Sequence, residues 1–174
     1  MTAYKDAIAG AMTWLGAQPD TIFIGQTVLA GGSYMSAVLD GVPVEKRIEW
    51  PVAEEMQLGA SLGLALEGYC VVSIYPRIDF LLLAVNQLVN HLDKIGVMSE
   101  GKMRPRIIIR TSYAPLWPLN AGPQHTQRHL PALRRMLTTV RCVELLGEVG
   151  VDGCYRAAYE RGGVWLFIED GQLI

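Results

Sequence analysis

The sequence predicts an α/β protein, a three-layer α/β/α fold around a mainly parallel sheet. Stretches with apolar residues every three to four positions alternate with short apolar runs along the whole chain. Runs such as Cys70 to Tyr75 and Ile107 to Ile109 are almost continuously apolar rather than alternating, the mark of strands covered by helices on both faces. At 174 residues with 51% hydrophobic composition, residues 1–174 are expected to form a single domain with ample core.

Ala7, Ile8, Ala11, Met12 and Leu15 repeat at helical spacing, and Thr21 to Ile24 form a β-rich run that stops at Gly25. Five glycines and serines between Ala30 and Gly41 predict a loop or short helix, followed by a strand at Val44 to Ile48. A helix is expected from Ala53 to Leu66, with Gly68 as its C-terminal stop. After the strand at Cys70 to Tyr75 comes a long helix, Ile78 to Ile95, then the strand Ile107 to Ile109. Residues 111–124 hold three prolines and predict the longest irregular stretch, where function tends to sit. A short helix at Pro131 to Leu137, a strand at Val140 to Leu145, a helix at Val149 to Glu160 and a last strand at Val164 to Ile168 complete the series.

Composition excludes several classes. The longest apolar run, Phe80 to Val85, is far short of the roughly 20 residues that span a bilayer. A formal charge of −2 supplies no electrostatic footprint for nucleic acid. The N-terminus lacks the basic and apolar regions of a signal peptide, which predicts a cytoplasmic protein. Cys70, Cys142 and Cys154 are odd in number and set among apolar neighbours, so reduced, buried thiols are expected. With only 18% charged residues, the chain is expected to cover apolar surface against a partner.

In parallel α/β sheets, ligands gather beyond the C-terminal ends of the strands. That edge should carry Gly25-Gln26, Glu54, Tyr75 to Phe80 and the segment from Thr111 to His125. Glu54 and Glu55 follow Pro51 at the mouth of a helix of small and apolar residues. The helix dipole alone accounts for carboxylates there. The sharper reading needs one of them to face an apolar pocket and share a proton with a ligand nitrogen. Phe80 would ordinarily be core, or else a flat ring stacking on a heteroaromatic ligand. Asn86, Gln87, Asn90 and His91 interrupt an apolar helix and suggest a polar seam across a subunit interface. His125 and His129 are four apart, but Pro123 and Pro131 bracket them and no third metal ligand is evident; His125 reads either as a surface loop residue or as a proton donor or substrate contact. No phosphate-binding glycine motif, nucleophile elbow or zinc-protease motif occurs.

Taken in order, Ile22-Phe23-Ile24-Gly25, Pro51-Val52-Ala53-Glu54 with Gly59 and Gly63, Phe80 leading into Asn86-Gln87-Leu88-Val89-Asn90, Ile107 to Arg110, and Gln124-His125-Thr126-Gln127 resemble the pyrimidine-binding domain of thiamine diphosphate (ThDP)-dependent 2-oxoacid dehydrogenase beta subunits and transketolase-like enzymes. The resemblance runs from about Tyr4 to Glu169. It implies that Glu54, rather than Glu55, hydrogen-bonds a ring nitrogen of the cofactor's aminopyrimidine. Phe80 would stack on that ring, with Gln26 and Pro76 beside it, and His125 would face the reacting centre. Gln26 stands where the family usually has an acidic residue, and Tyr75 to Asp79 differ from the family's usual residues. The chain has no Gly-Asp-Gly with the following Asn that holds magnesium and diphosphate, so the resemblance assigns Mg2+ to a separate alpha-type chain. It implies a stand-alone beta-type chain without the family's C-terminal domain, self-associating within a heterotetramer. The expected activity is decarboxylation of a 2-oxoacid or transfer of an acyl or ketol unit. The alternative is a non-catalytic scaffold subunit that keeps the fold.

Overall fold

In the computed structural model, which describes residues 2–117 and 120–174, the strands form one six-stranded sheet in the order β2-β1-β3-β4-β6-β5. They are β1 (Thr21–Gly25), β2 (Arg47–Glu49), β3 (Cys70–Ile74), β4 (Arg106–Tyr113), β5 (Arg141–Leu145) and β6 (Val164–Asp170), and every pairing is parallel. β3 is buried throughout and β4 nearly so, which explains their unbroken apolar sequence.

Helices α1 (Ala3–Gly16) and α6 (Val151–Arg161) cover one face together with residues 28–42, where Val28, Met35, Val38, Leu39 and Val42 enter the core. Helices α2 (Glu54–Leu66), α3 (Ile78–Leu81), α4 (Ile95–Met98) and α5 (Leu130–Met136) lie on the chain that covers the other face. The steps from β1 to β2 and from β5 to β6 run one way across the sheet, on the first face. The other three steps run the opposite way on the second face, as a single crossover hand requires. The chain therefore reverses direction between β1 and β3, and such a switch point opens a crevice at the strands' C-terminal ends.

Most elements match their sequence signals. Thr2 caps α1 by accepting the Lys5 N–H at 3.1 Å, and α2 stops where Gly68 takes a φ of 103°. Four expectations need correction. The helix expected over 78–95 is broken: after α3 come a 3₁₀ turn, Leu82–Ala84, and a π-helical segment, Gln87–Leu92, closed by the Asp93 N–H donating to the Leu88 carbonyl at 3.0 Å. Within this stretch Asn90 donates to the Asn86 side chain at 3.0 Å, and Asn86 donates to Glu55 at 2.9 Å, which ties the π-helical segment to α2. The strand expected at Val44 to Ile48 is a 3₁₀ turn, Val44–Lys46, followed by the three residues of β2, because Arg47 turns its guanidinium onto the Leu39 and Val42 carbonyls. Thr111 to Tyr113 belong to β4, so the irregular stretch starts at Ala114; Pro118 and Leu119 lie outside the described residues. Finally, only Cys70 is buried, and burial pushes its thiol up to about 11, whereas Cys142 and Cys154 are half-buried; all three are free.

The sheet encloses an ion pair. Arg110 of β4 and Glu169 of β6 are both fully shielded from solvent. Arg110 Nε and Nη2 donate to the two carboxylate oxygens at 2.5 and 2.8 Å, and Nη1 donates to the Met35 carbonyl at 2.9 Å. Tyr155 of α6 donates to Glu169 at 2.6 Å. Burial opposes the charged guanidinium, but Glu169 outweighs it and holds the Arg110 pKa above its ordinary value. Removing one partner leaves an uncompensated buried charge. Arg110→Met is expected to cost about 3–5 kcal/mol in urea unfolding, and adding Glu169→Leu to regain part of that loss. A single variant as mild as a surface substitution would contradict the network's role.

Candidate functional site

Glu54 is the first residue of α2, and it is 4% exposed although it carries a carboxylate. Its Oε1 accepts from Gln26 Nε2 at 3.1 Å, and among the described residues no cation pairs with it. The amide donates and the carboxylate accepts, so this contact positions Glu54 without passing a proton. Behind Glu54 the ends of β1 and β3 are tied to the helix. Gln57, fully buried, donates to Ser73 Oγ at 3.1 Å and to the Ile74 carbonyl at 3.0 Å, and Tyr75 reaches the Glu54 carbonyl at 3.3 Å.

Gln26 is held by features with little sequence signal. Glu49 gathers the N–H groups of Thr27, Leu29 and Ala30 at 2.6, 2.7 and 3.3 Å, folding the chain after β1 onto β2. Thr27 adopts a φ of 62°, a left-handed conformation that is costly for a β-branched residue and persists where the surroundings enforce it.

Glu54 opens into a cleft of about 740 Å³ lined mainly by Trp50, Ala53, Met56, Gly59, Leu83 and Gln87. The indole N–H of Trp50 in this wall is buried and has no hydrogen-bond partner. An apolar cleft with one buried carboxylate and an unused donor suits a flat heterocycle with polar edges. Glu55 is exposed and accepts from Asn86 at 2.9 Å, tying α2 to the π-helical segment. Asn86 and Asn90 are exposed, and Gln87 and His91 half-buried.

The remaining candidates gather one step away, outside that lining. Phe80 is half-buried, with the His125 ring edge-on at 5.5 Å and the Arg77 guanidinium 5.7 Å from its centroid. His125 Nδ1 is buried without a partner. His129 Nε2 lies 3.4 Å from Asp79 Oδ1, so it faces a carboxylate, and among the described residues no three His, Cys, Asp or Glu side chains group as metal ligands. The Pro76 carbonyl accepts from Tyr34 at 2.6 Å and from Ser112 at 2.9 Å, and the hydroxyls of Tyr34 and Ser112 also bond each other. Gln26 and Glu54 thus form one pair and Phe80 and His125 another, both beyond the C-terminal ends of the strands.

No protein-family model matches the sequence, and no curated protein matches it. The fold is shared with a solved structure described as a split gene transketolase, inactive beta4 tetramer, with a TM-score of 0.71 and 18% identity over 95% of this chain. The match spans 50% of that chain. Among the described residues no helix is long and apolar enough to cross a membrane.

The crevice depends on a close approach of two strands. A Cβ on Gly25 would lie 2.4 Å from the Ile74 carbonyl oxygen, a backbone atom that moves only if β1 and β3 separate. A Cβ on Gly59, inside α2, would meet Gln87 no closer than 3.8 Å. Gly25→Ala is therefore expected to destabilise by about 1–3 kcal/mol, whereas Gly59→Ala should be neutral or stabilising by up to about 1 kcal/mol. Denaturant unfolding of both variants checks this, and equal effects would contradict it.

Proposed function

We propose that this chain is the pyrimidine-binding, beta-type subunit of a two-chain ThDP-dependent enzyme that decarboxylates a 2-oxoacid or transfers an acyl or ketol unit. One observation carries the reading: Glu54, buried and bonded by a neutral amide alone, opens into an apolar cleft at the switch point of a sheet shared with a split gene transketolase chain. When bound, ThDP supplies an electron sink for breaking the bond next to a carbonyl.

The protein's own contribution follows from its residues. Glu54 would accept a hydrogen bond from, or share a proton with, a ring nitrogen of the aminopyrimidine, and Gln26 would hold that carboxylate in one orientation. Leu83, Met56 and Trp50 would line the ring's surroundings and exclude water. Phe80 would offer its ring to the same heterocycle, and Pro76, whose carbonyl is already taken by Tyr34 and Ser112, would form a rigid neighbouring wall. His125, with Nδ1 free of any partner, is assigned as proton donor or substrate ligand.

Phosphate and Mg2+ are assigned to an alpha-type chain, because no Gly-Asp-Gly and Asn pattern occurs here. The cleft's exposed rim supports a partner: Met56 and Leu83 are 59% and 64% exposed, an apolar surface that association would cover. Self-association of the beta-type chain would complete a heterotetramer, with residues 1–174 acting as a single pyrimidine-binding domain.

The test is steady-state turnover of a 2-oxoacid by this chain combined with an alpha-type chain carrying the diphosphate motif. Glu54→Gln, nearly isosteric, is expected to lower kcat by about 100-fold or more while leaving assembly of the two chains intact. Unchanged turnover would overturn the role of Glu54. Assembly with no turnover in the unmodified pair would favour the scaffold reading.

A further inference from the structure

At the opposite edge of the sheet, where β4, β5 and β6 begin, a second cleft of about 620 Å³ is lined by Arg104, Arg106, Arg141 and Arg161. Its floor is apolar, with Leu92, Ile95 and Val164. The volume falls within the range of about 300–1,000 Å³ typical of small-ligand pockets. None of the residues assigned to the ThDP reading lies here.

The arginines are arranged by more than their own flexibility. Arg106 stacks 4.6 Å from the Tyr159 ring centroid, and Arg141 lies 5.0 Å from that of Trp165. Gly162 and Gly163 run between them in left-handed conformations, φ 63° and 79°. A Cβ on Gly162 would come within 3.3 Å of Arg106 Cγ, and one on Gly163 within 3.2 Å of Arg141 Nη1. Gly163 thus leaves room for the Arg141 guanidinium beside the backbone, and Gly162 for the aliphatic stem of Arg106. Stacking on a ring fixes a guanidinium plane while leaving N–H donors available, the state from which bidentate phosphate binding loses least entropy.

Charge points the same way. Asp20 neutralises Arg106 at 2.5 Å, but among the described residues no carboxylate pairs with Arg104, Arg141 or Arg161. Arg104 and Arg141 spend one donor each on the Gly101 and Gly162 carbonyls, at 2.9 and 3.3 Å. Glu160 is the one carboxylate in the lining. Three uncompensated cations against one anion, above an apolar floor, suit a multiply charged anion with an apolar body.

We propose that this cleft binds an organic phosphate of about nucleoside diphosphate size, its phosphates on Arg104, Arg141 and Arg161 and its body against Leu92, Ile95 and Val164. The test is calorimetric titration of the full chain at physiological ionic strength with ADP, adenosine and inorganic pyrophosphate as probes. ADP is expected to saturate, and more tightly than either fragment. Its affinity should fall about tenfold in Arg141→Gln and in Arg161→Gln. Arg135→Gln, which removes an exposed arginine outside the cleft, should leave it unchanged. Absence of saturable ADP binding overturns the proposal, as does equal weakening by Arg135→Gln, which would signify bulk charge. Pyrophosphate binding as tightly as ADP would remove the role of the apolar floor. Loss of binding in Glu54→Gln would place ADP in the other cleft and equally overturn it.

Discussion

The buried contact between Arg110 and Glu169 joins parts of the molecule that hydrophobic packing alone would leave free to slide. Two charges inside a sheet are costly unless each polar atom is met, and here the fork of Arg110 spans the carboxylate while its third nitrogen takes the Met35 carbonyl. Tyr155 fills a further site on Glu169. One network therefore pins β4 to β6, α6 to the sheet, and the irregular segment 28–42 to its face. That segment contains no regular helix, yet it must bridge β1 and β2 and cover the core. Its anchorage bears directly on the crevice, because the stretch follows Gln26 by two residues and includes Tyr34, which bonds Pro76 across the switch point.

The crevice is consequently built from both sides. Gly25 brings β1 against β3, Glu49 collects the N–H groups of the following turn, and Gln57 ties α2 to the strand ends. Glu54 emerges from this scaffold as a carboxylate whose orientation is set by neighbours rather than by solvent. Its cleft has a wall on this chain and an apolar rim that is exposed at Met56 and Leu83. The two-chain ThDP reading rests on the carboxylate, and that exposed rim supports a partner for it. The arginine cleft at the far edge uses different strand ends and a different charge sign, so the two sites can be tested independently.

Much of the architecture is legible in the sequence because period and burial coincide. Ile8, Met12 and Leu15 mark α1, and the unbroken runs at Cys70 and Ile107 mark strands covered on both faces. The breaks in the helix expected over 78–95 were not legible: its run of leucines suits a regular helix, and no residue pattern marks the 3₁₀ turn or the π-helical segment that Asn86 ties to Glu55 of α2. Gln26 and Glu54 could be placed on one edge from topology, but their direct contact could not, since it hangs on the Thr27 turn and on Glu49. Arg110 and Glu169 offered a signal that sequence reasoning passed over. Each continues an apolar run in a strand covered on both faces, where a charge must find a partner. The arginine cleft carried no linear signal, because its residues come from four separate segments.

The central claim is that Glu54 belongs to half of a cofactor site. Calorimetric titration of ThDP with Mg2+ into this chain alone, into an alpha-type chain alone, and into their mixture tests it most directly. Saturable binding is predicted in the mixture only, because anything that requires both surfaces appears only when both are present. Full-affinity ThDP binding to the isolated chain, or none to an assembled pair, would contradict it.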